Sequence, residues 1–286
     1  MLSNKVSEIM TSNLTTAPVS ASILEVMQMM VAEDVGRAII TDADVPVGIF
    51  TEKDVLKRVV SARTDVKKTK IDKVMTSPVR AVREETHIVE AFAKMYRGKY
   101  RHLLVRGRRG KIIGIVSMRR ILNIAVELGQ GMSETRTLGD IAAPEVVSVE
   151  QSATVYDTVE LMNKRGVAAV VVTEGAKPLG IFTERDVLKR VATKVFNIKE
   201  TAVKQVMTAP IVTMPQTALI SDVLAEMHRR DIRNMPVCDP HGTLTGLVAM
   251  PEVLQYAQAF NIDEQVRRTW KEVAEYLDTE DQYTPG

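Results

Sequence analysis

The sequence predicts an α/β fold made of four β-α-β-β-α repeats, paired two and two, with an added C-terminal helix. Three observations lead there. Four glycine-led segments recur at a constant 66-residue step: Gly48-Ile49-Phe50-Thr51-Glu52-Lys53-Asp54, Gly114-Ile115-Val116-Ser117-Met118-Arg119-Arg120, Gly180-Ile181-Phe182-Thr183-Glu184-Arg185-Asp186 and Gly246-Leu247-Val248-Ala249-Met250-Pro251-Glu252. A second anchor stands 38 or 39 residues before each glycine: Ile9-Met10-Thr11, Val74-Met75-Thr76, Ile141-Ala142-Ala143 and Val206-Met207-Thr208. Between the anchors, every copy reads in the same order of helical and extended patterns.

In the first copy a short extended run, Leu14 to Ala17, comes first. A helix follows, opened by Ser22 with Glu25 three residues on, the spacing of a capping box. Its apolar positions Ile23, Val26, Met27, Met30 and Val31 share one face. Two β-rich runs, about Arg37 to Thr41 and Val45 to Phe50, are separated by an Asp/Pro turn. A second helix starts near Thr51 and carries Val55, Leu56 and Val59.

Copies one and three share Gly-Ile-Phe-Thr-Glu-(Lys/Arg)-Asp-Val-Leu-Lys-Arg-Val. Copies two and four share instead a basic residue before the strand core, in Tyr100-Arg101-His102-Leu103 and Ile232-Arg233-Asn234-Met235. The order A-B-A′-B′ is that of a duplicated two-repeat module, and the polar stretch 127–137 reads as the linker. The expected division is therefore a first module over 1–128 (repeats about 5–62 and 70–127) and a second over 134–260 (repeats about 136–195 and 202–260). A C-terminal segment, 261–286, completes the chain, with Ile262, Val266, Trp270, Val273, Ala274 and Leu277 on one helical face.

Composition excludes several classes. Of 286 residues 45% are apolar, which sets the chain apart from disordered sequences. Thirty-eight basic against thirty-six acidic residues rule out a globally basic nucleic-acid binder, although not a local patch. One cysteine, Cys238, cannot form an intrachain disulfide, and a reducing cytoplasm is the expected compartment. The first residues show no apolar leader and no run approaches 18 apolar residues, so neither secretion nor membrane spanning is expected. The charge is uneven, however. Residues 91–126 hold ten basic side chains and no acid.

On the phased anchors and glycine-led segments the chain resembles the CBS-domain family, as four repeats in two tandem pairs known as Bateman modules. The resemblance covers roughly residues 5–260. It implies a small sheet with two helices per repeat and, in many members, an adenosine-containing ligand in the cleft between paired repeats: AMP, ADP, ATP or S-adenosylmethionine. No cofactor is required. It also implies stacked homodimers and a regulated protein target, which the sequence does not name.

Thr51-x-x-Asp54 and Thr183-x-x-Asp186 have two readings. One is a helix cap, with the Thr hydroxyl capping and the acid favouring the dipole. The other is a ribose site, with the carboxylate accepting two bonds from a 2′,3′-diol and helix amides facing a phosphate. The two can coexist, and the resemblance carries ribose binding onto Asp54 and Asp186 and polar contact onto Thr51 and Thr183. Copies two and four depart from this pattern at Arg120, Ala249 and Glu252, so two clefts rather than four are expected to be competent.

The basic stretch includes Arg101, His102 and Arg119, and copy two resembles the second repeat of the AMP-activated kinase gamma subunit. That likeness assigns these three to the phosphates of the ligand whose ribose sits on Asp54; arginine's planar fork suits paired phosphate oxygens. The second module offers Arg233, Asn234 and Pro251 at the matching positions. It is therefore expected to take a less phosphorylated ligand. Adenine needs an apolar slot, for which Val79 and Ala81 in the first module and Ile211 and Thr213 in the second are the candidates, although all four read equally as plain strand residues with no specific contact.

His87, His102, His228 and His241 show no metal-ligand spacing. Neither a P-loop nor a dinucleotide fingerprint occurs, no catalytic constellation stands out, and the repeats leave no room for a catalytic domain. An enzyme is not expected. Two rivals remain to the sensor reading: a scaffold or dimerisation protein with vestigial clefts, and a nucleic-acid binder using residues 91–126. The latter ranks last because only Tyr96 and Tyr100 interleave the basic residues.

Overall fold

The computed structural model describes residues 5–98, 100–129, 136–141, 146–194 and 197–250. Pro251, Glu252 and the C-terminal segment lie outside the described residues, as do Lys99, Ala142-Ala143 and most of the linker.

Repeat 1 contains α1 (Val6–Ile9), β1 (Thr16–Pro18), α2 (Ile23–Ala32), β2 (Arg37–Asp42), β3 (Val45–Thr51) and α3 (Glu52–Asp54), which continues as a π-wound stretch Val55–Val60. Both hairpin strands begin at the expected residues and run one residue longer. The capping box at α2 forms, Ser22 N–H donating to Glu25 at 2.7 Å and Glu25 N–H to Ser22 Oγ at 3.2 Å. Ile23, Val26, Met27 and Met30 are buried on one face, and Val31 is partly buried beside them.

Repeat 2 holds β4 (Ala81–Arg83), α4 (Ile88–Arg97), β5 (His102–Arg106), β6 (Ile112–Ser117) and α5 (Met118–Gly129). Repeat 3 holds β7 (Ser148–Glu150), α6 (Val155–Arg165), β8 (Ala169–Glu174), β9 (Lys177–Thr183) and α7 (Glu184–Asp186), continued by Val187–Ala192. Repeat 4 shows β10 (Met214–Pro215), α8 (Ile220–Arg229), β11 (Asn234–Cys238) and β12 (Leu244–Ala249). Each repeat makes a three-stranded sheet in which the first strand runs parallel to the middle one and a hairpin supplies the third. The helix between the parallel strands is the crossover such pairing needs.

The anchors do not serve the repeat in which they are written. Val6 donates to Thr86 O at 2.9 Å, Thr11 bridges Ile115, and Val6 and Ile9 are buried in the core that serves repeat 2. In return Ile71 donates to Ala21 O, and Ile71 and Val74 are buried in the core of repeat 1. Repeats 3 and 4 repeat the exchange, through Leu138 to Ala218 O and Val203 to Ala153 O. Neither member of a pair closes its core alone.

Helices join the pairs to each other. One apolar core runs from repeat 1 into repeat 3, bringing Val26, Met30 and Val59 together with Val155, Val159 and Leu188. A second joins repeats 2 and 4 through Phe92, Met95, Leu224 and Met227. A small cluster of Ile39, Leu104 and Ile115 lies between the sheets of repeats 1 and 2. Helix faces that a stacked dimer could use are thus buried within one chain.

Candidate functional site

The two Thr-x-x-Asp turns form the cap the spacing predicts, and they form it twice. Thr51 N–H and Oγ1–H both donate to one Asp54 oxygen, at 2.9 and 2.7 Å. The other oxygen accepts from Thr76 Oγ1 at 3.1 Å and faces Arg58 Nη1 at 3.4 Å. Arg58 is itself held by the carbonyls of Val74 and Met75, at 2.9 and 2.7 Å. In repeat 3 the same bonds join Thr183, Thr208 and Arg190 to Asp186. A carboxylate offers about four lone-pair directions, and three are taken. A ribose diol donating two bonds therefore requires one of these three, such as the bond from Thr76, to give way. In sequence Thr76 stood out only as part of an anchor and Arg58 only as part of a shared run, not as site residues, although both recur with the Asp, as Thr208 and Arg190.

Above Asp54 opens a cleft of about 620 Å³. Thr51, Asp54, Arg101 and His102 all line it, so the structure brings four of the seven residues assigned to the first module into one space. Lys53, Lys57, Arg58 and Arg97 add positive charge, while Ile49, Met95, Met118, Tyr96 and Tyr100 supply apolar and aromatic wall. Gly166, Ala168 and Glu184 reach in from repeat 3.

The other three residues lie elsewhere. Val79 and Ala81 pack on the Ile39–Leu104–Ile115 cluster between the sheets, so the apolar wall of the cleft comes from Ile49, Met95 and Met118 instead. Arg119 lines a separate cavity of about 230 Å³ where all four repeats meet, and is ion-paired with Asp231 of repeat 4. The shift has a simple cause. Arg119 sits one residue into α5, whose start carries it toward repeat 4.

This central cavity also contains Arg37, Arg185, Arg233, Asn234, Thr183 and two buried carboxylates, Glu52 and Glu184. Arg101 donates to Glu184 at 2.7 Å, and Arg233 stands 4.0 Å from Glu52. These are pseudo-equivalent pairs linking repeat 2 to 3 and repeat 4 to 1. Arg101, His102, Met118, Ala168 and Glu184 border both spaces. Glu52 and Glu184 carried no sequence signal beyond recurrence, because a glutamate at the first helical position usually faces solvent.

His102 is not a cation. Burial pushes its pKa well below the usual imidazole range, and the nearby Arg37, Arg101 and Arg233 guanidiniums push it further. It offers a single ring N–H to a ligand, without charge. In the second module Arg233 and Asn234 line the central cavity with Thr183, while Asp186 is engaged in its cap. Ile211 is half-buried, and exposed Thr213 bonds the Cys238 thiol, whose pKa burial raises.

The basic stretch is divided rather than continuous. Arg101 and Arg97 face the cleft and Arg119 the centre, whereas Lys94 pairs with Glu90 and Arg108 with Glu84 on the surface. Among the described residues no cluster of His, Cys, Asp and Glu fits a metal ion, and no helix is long and apolar enough to cross a membrane.

The family model for the CBS domain matches four times, at residues 6–61, 71–127, 138–193 and 203–259. The chain belongs to the CBS-domain family. A CBS domain-containing protein of Arabidopsis thaliana is 30% identical over 291 residues, which cover 87% of this chain and 52% of that protein; a second Arabidopsis paralogue is 27% identical over 82% and 49%. The chain thus spans about half the length of these relatives. Among solved structures, a Methanocaldococcus jannaschii protein described as a candidate archaeal homologue of the AMP-activated kinase gamma subunit superposes with a TM-score of 0.75. It is 17% identical, over 88% of this chain and 99% of that one, a likeness of fold. In this CBS-domain chain four of the family's repeats close into one body around a common charged centre.

Proposed function

We propose that this CBS-domain chain is a non-catalytic regulatory protein of the cytoplasm that binds adenine nucleotides. It acts through two modules, 1–128 and 134–260, and reports their occupancy to a protein target. One observation carries the reading: the cleft over Thr51 and Asp54 joins a sugar-sized carboxylate site and aromatic wall to Lys53, Lys57, Arg58, Arg97 and Arg101. Such a surface suits a base, a ribose and more than one phosphate. The first cleft is the site for ADP or ATP; the second, with Arg233 and Asn234 in place of Arg101 and His102, suits AMP, adenosine or S-adenosylmethionine. The signal is a population shift, because phosphate on Arg101 competes with Glu184 of the other module.

Thermal unfolding with AMP, ADP, ATP and S-adenosylmethionine tests this on the wild type and on the exposed pair Lys53→Ala/Lys57→Ala. A ligand at 100 times its Kd adds about 2.7 kcal/mol. The double variant leaves the Asp54 cap intact and is expected to weaken ATP and ADP more than AMP. If no ligand stabilises the chain, the scaffold reading takes its place.

A further inference from the structure

Among the differences between the surroundings of the two Thr-x-x-Asp turns is one side chain that no motif contains. Repeats 1 and 3 run in register at an offset of 132 residues, so Lys53 and Lys57 correspond to Arg185 and Lys189, and Gly166 corresponds to Asp34. Asp34 and Gly166 follow α2 and α6 in the same left-handed backbone, with φ of 53° and 70°. The chain closes alike after both, Val35 N–H bonding Met30 O at 2.9 Å and Val167 N–H bonding Met162 O at 3.1 Å. What differs is the side chain. Gly166 lines the first cleft bare, and among the described residues Lys53 and Lys57 have no ion pair there. Asp34 reaches across from repeat 1 and meets both counterparts, Arg185 and Lys189, on the helical turn that starts at Thr183. Its carboxylate is 2.5 Å from Arg185 Nη2 and ion-paired with Lys189.

We infer that Asp34 is a resident anion occupying the phosphate-side cations of the second cleft, so that a nucleoside polyphosphate is admitted to the first cleft and discouraged from the second. A phosphate entering the second cleft must displace this carboxylate or sit beside it, and either penalises each added negative charge. Hydrogen bonds from Lys189 and Arg185 hold the Asp34 carboxyl down at about 2, so the resident charge is present throughout the physiological range. A neutral-tailed ligand such as an adenosine or thioether nucleoside escapes the penalty. The inference rests on the nucleotide reading above and explains how one duplicated module acquires two preferences.

The test is equilibrium titration of the full chain with ATP, comparing wild type, Asp34→Asn, Asp34→Gly, Gly166→Asp and Gly166→Asn. Two steps are expected for wild type, the tighter one lost in Lys53→Ala/Lys57→Ala. Asp34→Asn and Asp34→Gly should tighten the weaker step by about tenfold, the scale of a carboxylate facing two cations at partial exposure. Gly166→Asp should weaken the tighter step by a similar factor, while Gly166→Asn, with the same backbone and size, should not. Unchanged steps in all four variants, with ATP still bound, overturn the role of Asp34 and leave the nucleotide reading standing. Absence of ATP binding in wild type and in both Asp34 variants overturns both.

Discussion

Gly48 of β3 faces the thioether of Met75 so closely that a methyl group on its Cα would stand 2.2 Å from Sδ. The same fit recurs between Gly114 and Met10, and between Gly180 and Met207, at 2.6 and 2.4 Å. It explains why glycines and Met-Thr anchors keep phase along the chain. Each of these three glycines is the seat for the anchor of the other repeat in its pair.

Gly48→Ala should therefore destabilise the chain by about 1–3 kcal/mol, the usual penalty for overpacking. Met75→Ala in the same chain should recover part of that loss, because the shorter side chain vacates the seat. Urea unfolding of both single variants and the double measures the coupling. Strictly additive losses would contradict the fit.

The cap at Asp54 predicts a loss of stability that needs no ligand. Asp54→Ala and Asp186→Ala break matched sets of bonds, to Thr51 and Thr76 or Thr183 and Thr208. Each should cost about 0.5–2 kcal/mol in nucleotide-free protein, and the two losses should be alike. Chemical denaturation checks this. A loss at one position with none at the other would break the equivalence of the turns.

His102 predicts a pH dependence with a definite sign. Its folded pKa is depressed from 6.5, so below that value the unfolded chain binds a proton that the folded chain refuses. Stability should fall as pH drops through about 6.5 and below, by up to about 1.4 kcal/mol per pH unit from this group. His102→Asn places the residue found at position 234 and should flatten that slope, as seen by unfolding between pH 7.5 and 5.5. An unchanged slope would assign the effect to another group.

Glu184 predicts opposite effects on folding and binding. Glu184→Gln keeps the shape but removes the charge that Arg101 engages at 2.7 Å. The free chain should lose about 1–3 kcal/mol. ADP should bind a few-fold more tightly, since its phosphate no longer competes with a carboxylate for Arg101. Calorimetric titration decides; weaker ADP binding would mean that Glu184 orients Arg101 rather than competing for it.

The parts legible in sequence are those written locally. Ser22 and Glu25 announce the start of α2, the two β-rich runs of 37–50 and the turn between them announce the hairpin, and Thr51 and Asp54 announce a cap that forms as spaced. Recurrence exposed the repeats because the same local rules were written four times. What stayed hidden depends on partners distant along the chain. Nothing near Val6 says that it fills the core beside β6, and nothing near Arg119 says that Asp231 draws it to the centre. Val79 and Ala81 read as slot-lining strand residues, yet the opposing sheet covers them. The pairing of Arg101 with Glu184 spans 83 residues and two repeats, so no window along the chain contains it.

The exchange of anchors sets the step by which such a chain can grow or shrink. Ile71 and Val74 belong to repeat 2 by sequence and to repeat 1 by packing, just as Val6 and Ile9 are placed in the opposite sense. A single repeat added or deleted would strand one apolar tab in water and leave one open groove. Insertion or loss of a whole pair leaves every tab seated. The heritable unit of this architecture is thus 132 residues rather than 66, and genetic change that respects folding should come in twos.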